Sequence, residues 1–223
     1  MTAPITKRAL FVYFSYTQQA KRVAEAMAET LRADGYDVTN AAIELTDKRW
    51  KKNFAKFPMN NGFLDVLKML PAQTRKATGE IKIPDSVTSG DYDLVIVGSP
   101  TWWLTTSIPI RSFLKSPEAM TLLSGTPFAG YVVCRRYWGY NLKTVKKLGT
   151  ERGGKYVDGL HFSYQGGQIR SLMSLISYLG SGEYRAKYFG VKIPKTNLPA
   201  GFEREAKAFA HDLTTQVAAT PAS

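Results

Sequence analysis

The sequence predicts an α/β fold, a doubly wound five-stranded parallel sheet with helices on both of its faces. Two observations lead to this prediction. Short apolar or β-rich runs alternate with helical patterns along the chain, which is typical of parallel sheets crossed by helices. The run at residues 93–98, Asp-Leu-Val-Ile-Val-Gly, is almost wholly apolar, as a strand buried on both faces must be. This run is therefore expected at the centre of the sheet.

Length and composition fit a single globular domain. The chain has 223 residues, of which 44% are hydrophobic and 22% charged, and no linker or internal repeat separates two hydrophobic patterns. We therefore expect one domain over residues 1–223. Its last residues, about 218–223, are small and polar and are expected to form a frayed tail.

Cysteine content and hydropathy indicate a cytoplasmic protein. Cys134 is the only cysteine, so an intramolecular disulfide is excluded and nothing demands an oxidising compartment. No stretch approaches the apolar length that spans a bilayer, and the N-terminal segment lacks a signal-peptide pattern. No transmembrane segment is expected, whereas peripheral contact with a membrane stays open.

The formal net charge of +12 favours anionic partners. Lysines and arginines concentrate at residues 48–56 and again at residues 143–147. A solvated basic face is the simplest interpretation, because charge runs on helices usually face water. No specific nucleic-acid partner is expected.

The first half of the chain predicts strand, loop, helix and strand. A strand at residues 9–14 precedes a polar loop and a helix at about 20–33, and a second strand follows at 37–45. Residues 46–79 form a basic and aromatic insertion. An apolar stripe within it predicts one helix that ends before Pro71.

The second half predicts two further strands and their helices. After the central strand, a helix begins near Pro109. The later elements are a strand at 128–134, a loop at 135–141, a basic helix at 142–148, a strand near 160–164 and a closing helix at about 202–217. An extension at about 165–199 includes an amphipathic segment at 169–179, which could face a membrane, a partner subunit or the core. A core or subunit contact is the preferred interpretation.

In doubly wound sheets, ligands bind beyond the carboxyl ends of the strands, where the strand order reverses. Three loops converge there, at residues 15–20, 99–103 and 134–140. The first offers hydroxyl groups at a helix N-terminus, where the peptide dipoles favour a phosphate. The second offers two indole rings, and the third offers two arginines and several aromatic rings. This combination indicates a phosphorylated, planar cofactor.

Two of these loops resemble those of the flavodoxins. The segment Ser15-Tyr16-Thr17 before a helix is similar to the family's Ser/Thr-x-Thr-Gly-x-Thr loop, which wraps the phosphate of FMN. Residues 98–103, Gly-Ser-Pro-Thr-Trp-Trp, resemble the loop whose aromatic rings stack on the flavin. Gln18 and Ala20 depart from the pattern, at the positions of the usual Gly and last Thr. The resemblance implies a flavodoxin-like fold and non-covalent FMN, held by Ser15, Tyr16, Thr17, Gln18, Gln19, Ala20, Pro100, Thr101, Trp102, Trp103, Arg135, Arg136, Tyr137 and Trp138.

The resemblance further implies an oxidoreductase that passes hydride or electrons from NAD(P)H to a quinone-like acceptor. Arginines 135 and 136, if beside the flavin, raise its two-electron potential. Tyr137, Trp138 and Tyr164 are candidates for the wall that the acceptor meets. The dinucleotide fingerprint Gly-x-Gly-x-x-Gly is absent, so NAD(P)H is expected to bind only transiently.

Other interpretations stay open. The protein is alternatively a non-enzymatic electron carrier of the flavodoxin type, or a flavin-free module that binds anionic partners, and it can act as a homo-oligomer or with a protein redox partner. No catalytic acid, base or metal site is identified, and His161 and His211 have no partner at ligand spacing. Within the candidate loops, Thr17 can simply cap a helix, one tryptophan can pack inward, and Cys134 can be a buried hydrophobe.

Overall fold

The computed structural model describes residues 6–54, 57–164, 167–195 and 198–219. The strands are β1 Arg8–Tyr13, β2 Asp37–Ala42, β3 Glu44–Leu45, β4 Ile81–Lys82, β5 Leu94–Trp102, β6 Thr105–Thr106, β7 Pro127–Cys134, β8 Lys155–Ser163, β9 Lys187–Tyr188 and β10 Val191–Lys192. The helices are α1 Gln19–Ala33, α2 Lys48–Phe54, α3 Gly62–Lys68, α4 Leu70–Thr74, α5 Ile108–Leu114, α6 Pro117–Leu123, α7 Gly139–Glu151, α8 Gln168–Ser181 and α9 Phe202–Ala219, with a 3₁₀ turn at Asp85–Val87.

The main sheet has the strand order β2-β1-β5-β7-β8, and all five strands run parallel. The short β6 adds to the end of β5 in the antiparallel sense. The predicted doubly wound parallel sheet is therefore confirmed. The chain moves from β1 outward to β2 and then returns to the other side of β1, so the strand order reverses between β1 and β5, where a ligand is expected.

Two apolar cores flank the sheet, because successive side chains of a strand point to opposite faces. In β1, Phe11 and Tyr13 pack with α1 and α9, whereas Leu10 and Val12 pack with α5 and α6. The predicted central strand, β5, is fully buried from Leu94 to Ser99. Both faces of the sheet are thus covered by helices.

A glycine in β5 leaves room for a large side chain that reaches the first helix. Gly98 lies beside Tyr131 of β7 in the sheet register, and a Cβ at Gly98 would overlap the tyrosine ring. The Tyr131 hydroxyl donates a hydrogen bond of 2.8 Å to the carbonyl of Ala20 in the first turn of α1. This contact fixes the start of α1 over the centre of the sheet.

Two predicted strands have different bounds in the structure. The strand expected at 37–45 leaves the main sheet after Ala42, and β3 pairs instead with β4 in a separate two-stranded sheet. The last strand begins at Lys155 and not near residue 160, because Gly153 adopts a φ of +85° and turns the chain straight from α7 into β8. Polar residues at its start concealed this strand in the sequence.

The described residues of the insertion, 46–54 and 57–79, form three short helices where one was expected. Pro71 does not end a helix but lies in the first turn of α4, where its missing N–H costs no hydrogen bond. The buried guanidinium of Arg111 in α5 connects the insertion with the rest of the fold. It donates to the carbonyl of Ala77 at 2.9 Å, to Gln73 Oε1 at 2.9 Å and to the carbonyl of Thr106 at 2.6 Å.

None of the helices in the described ranges combines the length and the apolar content needed to cross a membrane.

Candidate functional site

The loop between β1 and α1 forms the first wall of the site. Ser15 Oγ accepts a hydrogen bond of 3.1 Å from the backbone N–H of Lys21, so Ser15, and not Thr17, satisfies an N–H group in the first turn of α1, whose N-cap residue is Gln18. Thr17 Oγ1 forms no hydrogen bond to any residue that the structure describes, and its side chain is half-buried. Gln18 adopts a φ of +62°, in the left-handed region that favours glycine.

A cavity opens from this loop across the ends of β5 and β7 and encloses about 170 Å³. Its walls come from the predicted loops, the insertion and α8. The lining residues are Ser15, Tyr16, Thr17, Gln19, Ala20, Phe54, Met59, Val66, Met69, Pro100, Thr101, Trp102, Trp103, Val133, Cys134, Arg135, Tyr164, Leu175 and Leu179. Ten of the fourteen predicted site residues are among them, together with the proposed acceptor-wall residue Tyr164.

The two tryptophans of the second loop occupy different environments. Trp102 stacks on Phe54 of α2 with ring centres 4.6 Å apart and meets Phe14 edge-on at 5.4 Å, so one side of its indole is covered by the core. Trp103 is partly exposed at the cavity mouth with a φ of +48°. Its Nε1 donates to the carbonyl of Val66 in α3 at 3.0 Å, which joins the loop to the insertion.

Of the four predicted cofactor-binding residues in the third loop, only Arg135 reaches the cavity. Its guanidinium donates to the carbonyl of Gln168 at 2.8 Å and to Ser171 Oγ at 2.9 Å, and burial lowers its pKa from the ordinary value. Within the described ranges, no carboxylate pairs with Arg135. A positive charge balanced only by neutral oxygens therefore lies at the cavity wall.

The other predicted residues of the third loop lie outside the cavity lining. Arg136 is exposed, and the Tyr137 hydroxyl accepts a hydrogen bond of 3.0 Å from Gln168 Nε2. Trp138 stacks on His161 with ring centres 3.7 Å apart. Gln18 also stays outside and lines a neighbouring depression with Lys21 and other residues. Position in a loop did not predict these side-chain directions.

Cys134 lies at the cavity wall as a neutral thiol. Burial raises its pKa to about 12, so almost none of it is thiolate at neutral pH. It acts there as a small apolar group.

Sequence reasoning missed the roof of the cavity. Phe54, Met59, Val66 and Met69 come from the insertion, and Leu175 and Leu179 come from α8. The apolar stripes that include Val66 and Leu175 were visible in the sequence as helical periodicity. Periodicity shows that a helix has an apolar face but not what that face covers.

Comparison with known proteins identifies the family of this chain. The profile of the flavodoxin family, described as "Flavodoxin", matches residues 8–131, more than half of the chain. The chain belongs to the flavodoxin family. The matched residues run from the start of β1 into β7 and thus include two of the three loops of the site.

Solved structures at low sequence identity share the fold. A flavodoxin from the domain Archaea superimposes with a TM-score of 0.51 at 12% identity, over 95% of this chain and 99% of that chain. A rubredoxin:oxygen oxidoreductase from Desulfovibrio gigas gives a TM-score of 0.52 at 13% identity, over 97% of this chain and 37% of that larger protein. A flavoprotein from Lactobacillus acidophilus, solved in complex with FMN, gives a TM-score of 0.47 at 19% identity, over 70% of this chain and 93% of that chain. A search of curated proteins finds no match.

Proposed function

We propose that this flavodoxin-family protein binds FMN without a covalent bond and passes hydride or electrons from NAD(P)H to a quinone-like acceptor. One observation carries the binding step. A hydroxyl-bearing loop at the N-terminus of α1 opens into the same cavity as two indole rings. Such a site joins a phosphate seat to a surface for a flat ring.

The loop fits a phosphate. Thr17 Oγ1 is available as a donor, and the loop lies at the N-terminus of α1, the positive end of the helix dipole. The backbone at Gln18 already has the positive φ that the family's glycine supplies, so this departure keeps the shape of the loop. The second departure removes a donor, because Ala20 has no hydroxyl group where the family has a threonine.

The cavity fits the ring if its mouth opens. Ligand pockets commonly measure roughly 300–1,000 Å³, more than the enclosed 170 Å³. Trp103 is exposed and forms one hydrogen bond to α3, so its outward rotation is the least costly way to enlarge the cavity. Trp102 is held by Phe14 and Phe54 and stays as the fixed wall.

Bound FMN would supply the capacity to accept hydride and to release electrons singly or in pairs. The protein contributes Arg135, whose positive charge favours negative charge on a reduced ring and so raises the reduction potential. Tyr164 at the wall positions the acceptor, and the apolar residues of the roof exclude water. No acid–base residue is needed for this role.

An electron carrier is the second candidate function, and family membership favours it. The two candidates differ in one measurement, since a carrier alone does not consume NAD(P)H in steady state with a quinone. A midpoint potential far below that of free FMN would contradict the reductase and support the carrier.

The first test is titration of the apoprotein with FMN and with riboflavin, followed by flavin fluorescence. Thr17→Ala is expected to weaken FMN about tenfold, because it removes a hydroxyl donor to a charged phosphate. Riboflavin lacks the phosphate and should bind both proteins equally. Thr121→Ala, at an exposed position on α6, is the matched control and should change neither affinity.

The outcomes separate the candidates. Equal loss of FMN and riboflavin in Thr17→Ala would mean that Thr17 shapes the cavity and does not bind phosphate. No binding of either flavin by the wild type would leave a flavin-free module of the flavodoxin family.

A further inference from the structure

Helix α8 buries three serines and exposes two of the aliphatic residues in its first half. Ser171, Ser174 and Ser177 are 3–4% exposed, whereas Ile169 is 77% and Leu172 41% exposed. A helix that packs on a core through its apolar stripe shows the opposite arrangement. The preferred expectation for residues 169–179 was a core or subunit contact. Tyr178 and Leu179 are buried in the core, whereas Ile169 and Leu172 make no core contact that buries them.

The inward serines are held by specific contacts. Ser171 Oγ accepts from Arg135, and the Ser174 hydroxyl donates to the carbonyl of Pro194. These hydrogen bonds fix the rotation of α8, so Ile169 and Leu172 cannot turn inward without breaking them. Their exposure is a built feature of the fold.

Neighbouring elements expose apolar side chains as well. The β9–β10 hairpin presents Phe189, 83% exposed and in a left-handed conformation with a φ of +46°, and Val191 follows it. Helix α3, which packs against α8, exposes Phe63, Leu64 and Leu67. A large exposed aromatic residue in a backbone conformation that costs free energy indicates a contact that the isolated chain does not make.

The segment that contains α8 and the β9–β10 hairpin carries mostly positive charges. Residues 167–195 carry five basic side chains, Arg170, Arg185, Lys187, Lys192 and Lys195, all exposed, against one acidic side chain, Glu183. We call Ile169, Leu172, Phe189 and Val191, with these five basic residues, the α8 surface.

We propose that the α8 surface binds an anionic lipid bilayer. Exposed aliphatic and aromatic side chains enter the boundary between headgroups and acyl chains, while lysines and arginines meet the anionic headgroups. A nucleic acid would match the charge but would leave Ile169 and Leu172 in water. A second copy of this chain would bring like charges together.

The α8 surface lies next to the cavity, which connects membrane binding with the proposed reaction. Leu175 and Leu179 of α8 and Val66 of α3 line the inner side of the cavity, so the helices that would touch the bilayer also form the roof of the site. A lipid-dissolved quinone could then enter from the membrane. This consequence rests on the proposed function, whereas lipid binding does not.

The test is co-sedimentation of the purified full chain, without flavin, with vesicles of phosphatidylcholine alone or mixed with phosphatidylglycerol. Binding is expected with the anionic vesicles and at least about tenfold weaker binding with the neutral ones, and added salt should weaken it. Because no flavin is present, failure here leaves the proposed FMN site untouched.

Two pairs of matched variants localise the contact. Ile169→Gln with Leu172→Gln should weaken vesicle binding about tenfold. Met120→Gln, at an exposed apolar position on α6, should not. Lys187→Gln with Lys192→Gln should weaken binding more than Lys48→Gln with Lys52→Gln, which removes the same charge from α2. All four variants change exposed residues only, and circular dichroism checks that each variant folds.

Three results would overturn the proposal. The wild type could fail to sediment with anionic vesicles, or the two lysine pairs could have equal effects, which would reduce the binding to net charge. Alternatively, the wild type could be a dimer that Ile169→Gln with Leu172→Gln converts to a monomer, without vesicle binding. The α8 surface would then be a subunit interface.

Discussion

At Gln18 the side chain departs from the family pattern, but the backbone keeps the left-handed conformation that favours the usual glycine. Its φ of +62° lies where an L side chain costs about 1 kcal/mol and where glycine has no steric penalty. Its side-chain amide donates to the Ser15 carbonyl at 3.3 Å, a long and weak hydrogen bond. The hydrogen bond of the Gln18 side chain therefore offsets little of the free energy that its backbone strain costs.

We expect Gln18→Gly to raise the free energy of unfolding by about 0.5–1 kcal/mol, measured by urea denaturation. Gln19→Gly, one residue later in the helical first turn, is the control and should lower it by a similar amount. If the first substitution destabilises the protein as much as the second, the hydrogen bond of Gln18 to Ser15 matters more than its backbone strain.

Residue chemistry was more predictable than residue direction. Ser15, Thr17, Trp102 and Trp103 reach the cavity because short loops after parallel strands leave few alternatives. Trp138 carries a ring as suitable as that of Trp102, yet it stacks on His161 instead. A stacking partner on a distant strand leaves no local signal in the sequence.

At the scale of elements, the insertion depends on one buried cation. Arg111 donates to oxygens of the insertion and of β6, which pairs with the end of β5, and burial lowers its pKa because the charged form is poorly solvated. Without the guanidinium, these oxygens lose their donors inside the protein. The roof then loses its attachment to the loop that carries both tryptophans.

Arg111→Met is expected to lower the free energy of unfolding by about 3 kcal/mol, because several buried oxygens become unpaired. Arg152→Met is the control. Arg152 also donates to two carbonyl oxygens, of Leu114 and Lys115, but it is half-exposed, and water can replace it at a cost of about 1 kcal/mol or less. Equal losses in chemical denaturation would show that burial of Arg111 is not the decisive feature.

The strands of the main sheet could be predicted from the sequence, whereas the orientation of the helices that cover the site could not. A continuous apolar run predicts a strand such as β5, because both faces of that strand are buried. Helix α8 has the same amphipathic pattern as a core helix, and only the hydrogen bonds of its serines decide which side faces inward. Those partners, Arg135 and Pro194, are distant in sequence.

For the whole molecule, acid stability depends on the carboxylate of Asp47. It accepts hydrogen bonds from the side chain and the backbone N–H of Arg49 and from the backbone N–H of Glu80, and these hold its pKa well below the usual range. Its contribution to stability is therefore complete above the unfolded-chain pKa of about 3.9 and disappears as the pH falls through the lower pKa of the folded state.

We expect Asp47→Asn to be less stable than the wild type at neutral pH. The difference should shrink as the pH falls below about 4, since the wild type then loses the same interaction. Thermal unfolding across this pH range measures it. Asp91→Asn, at an exposed position, is the control and should track the wild type at every pH. A constant difference down to low pH would show that the charge of Asp47 is not what stabilises the fold.

The contact between Gly98 and Tyr131 also restricts how this chain can evolve. A side chain at position 98 is blocked until Tyr131 has become smaller, since a Cβ would overlap the ring. A smaller residue at 131, however, removes the donor to Ala20 and frees the start of α1. Neither change is neutral alone, so descendants should retain both residues or replace both together. A lineage that has replaced both will have found another way to hold the loop between β1 and α1.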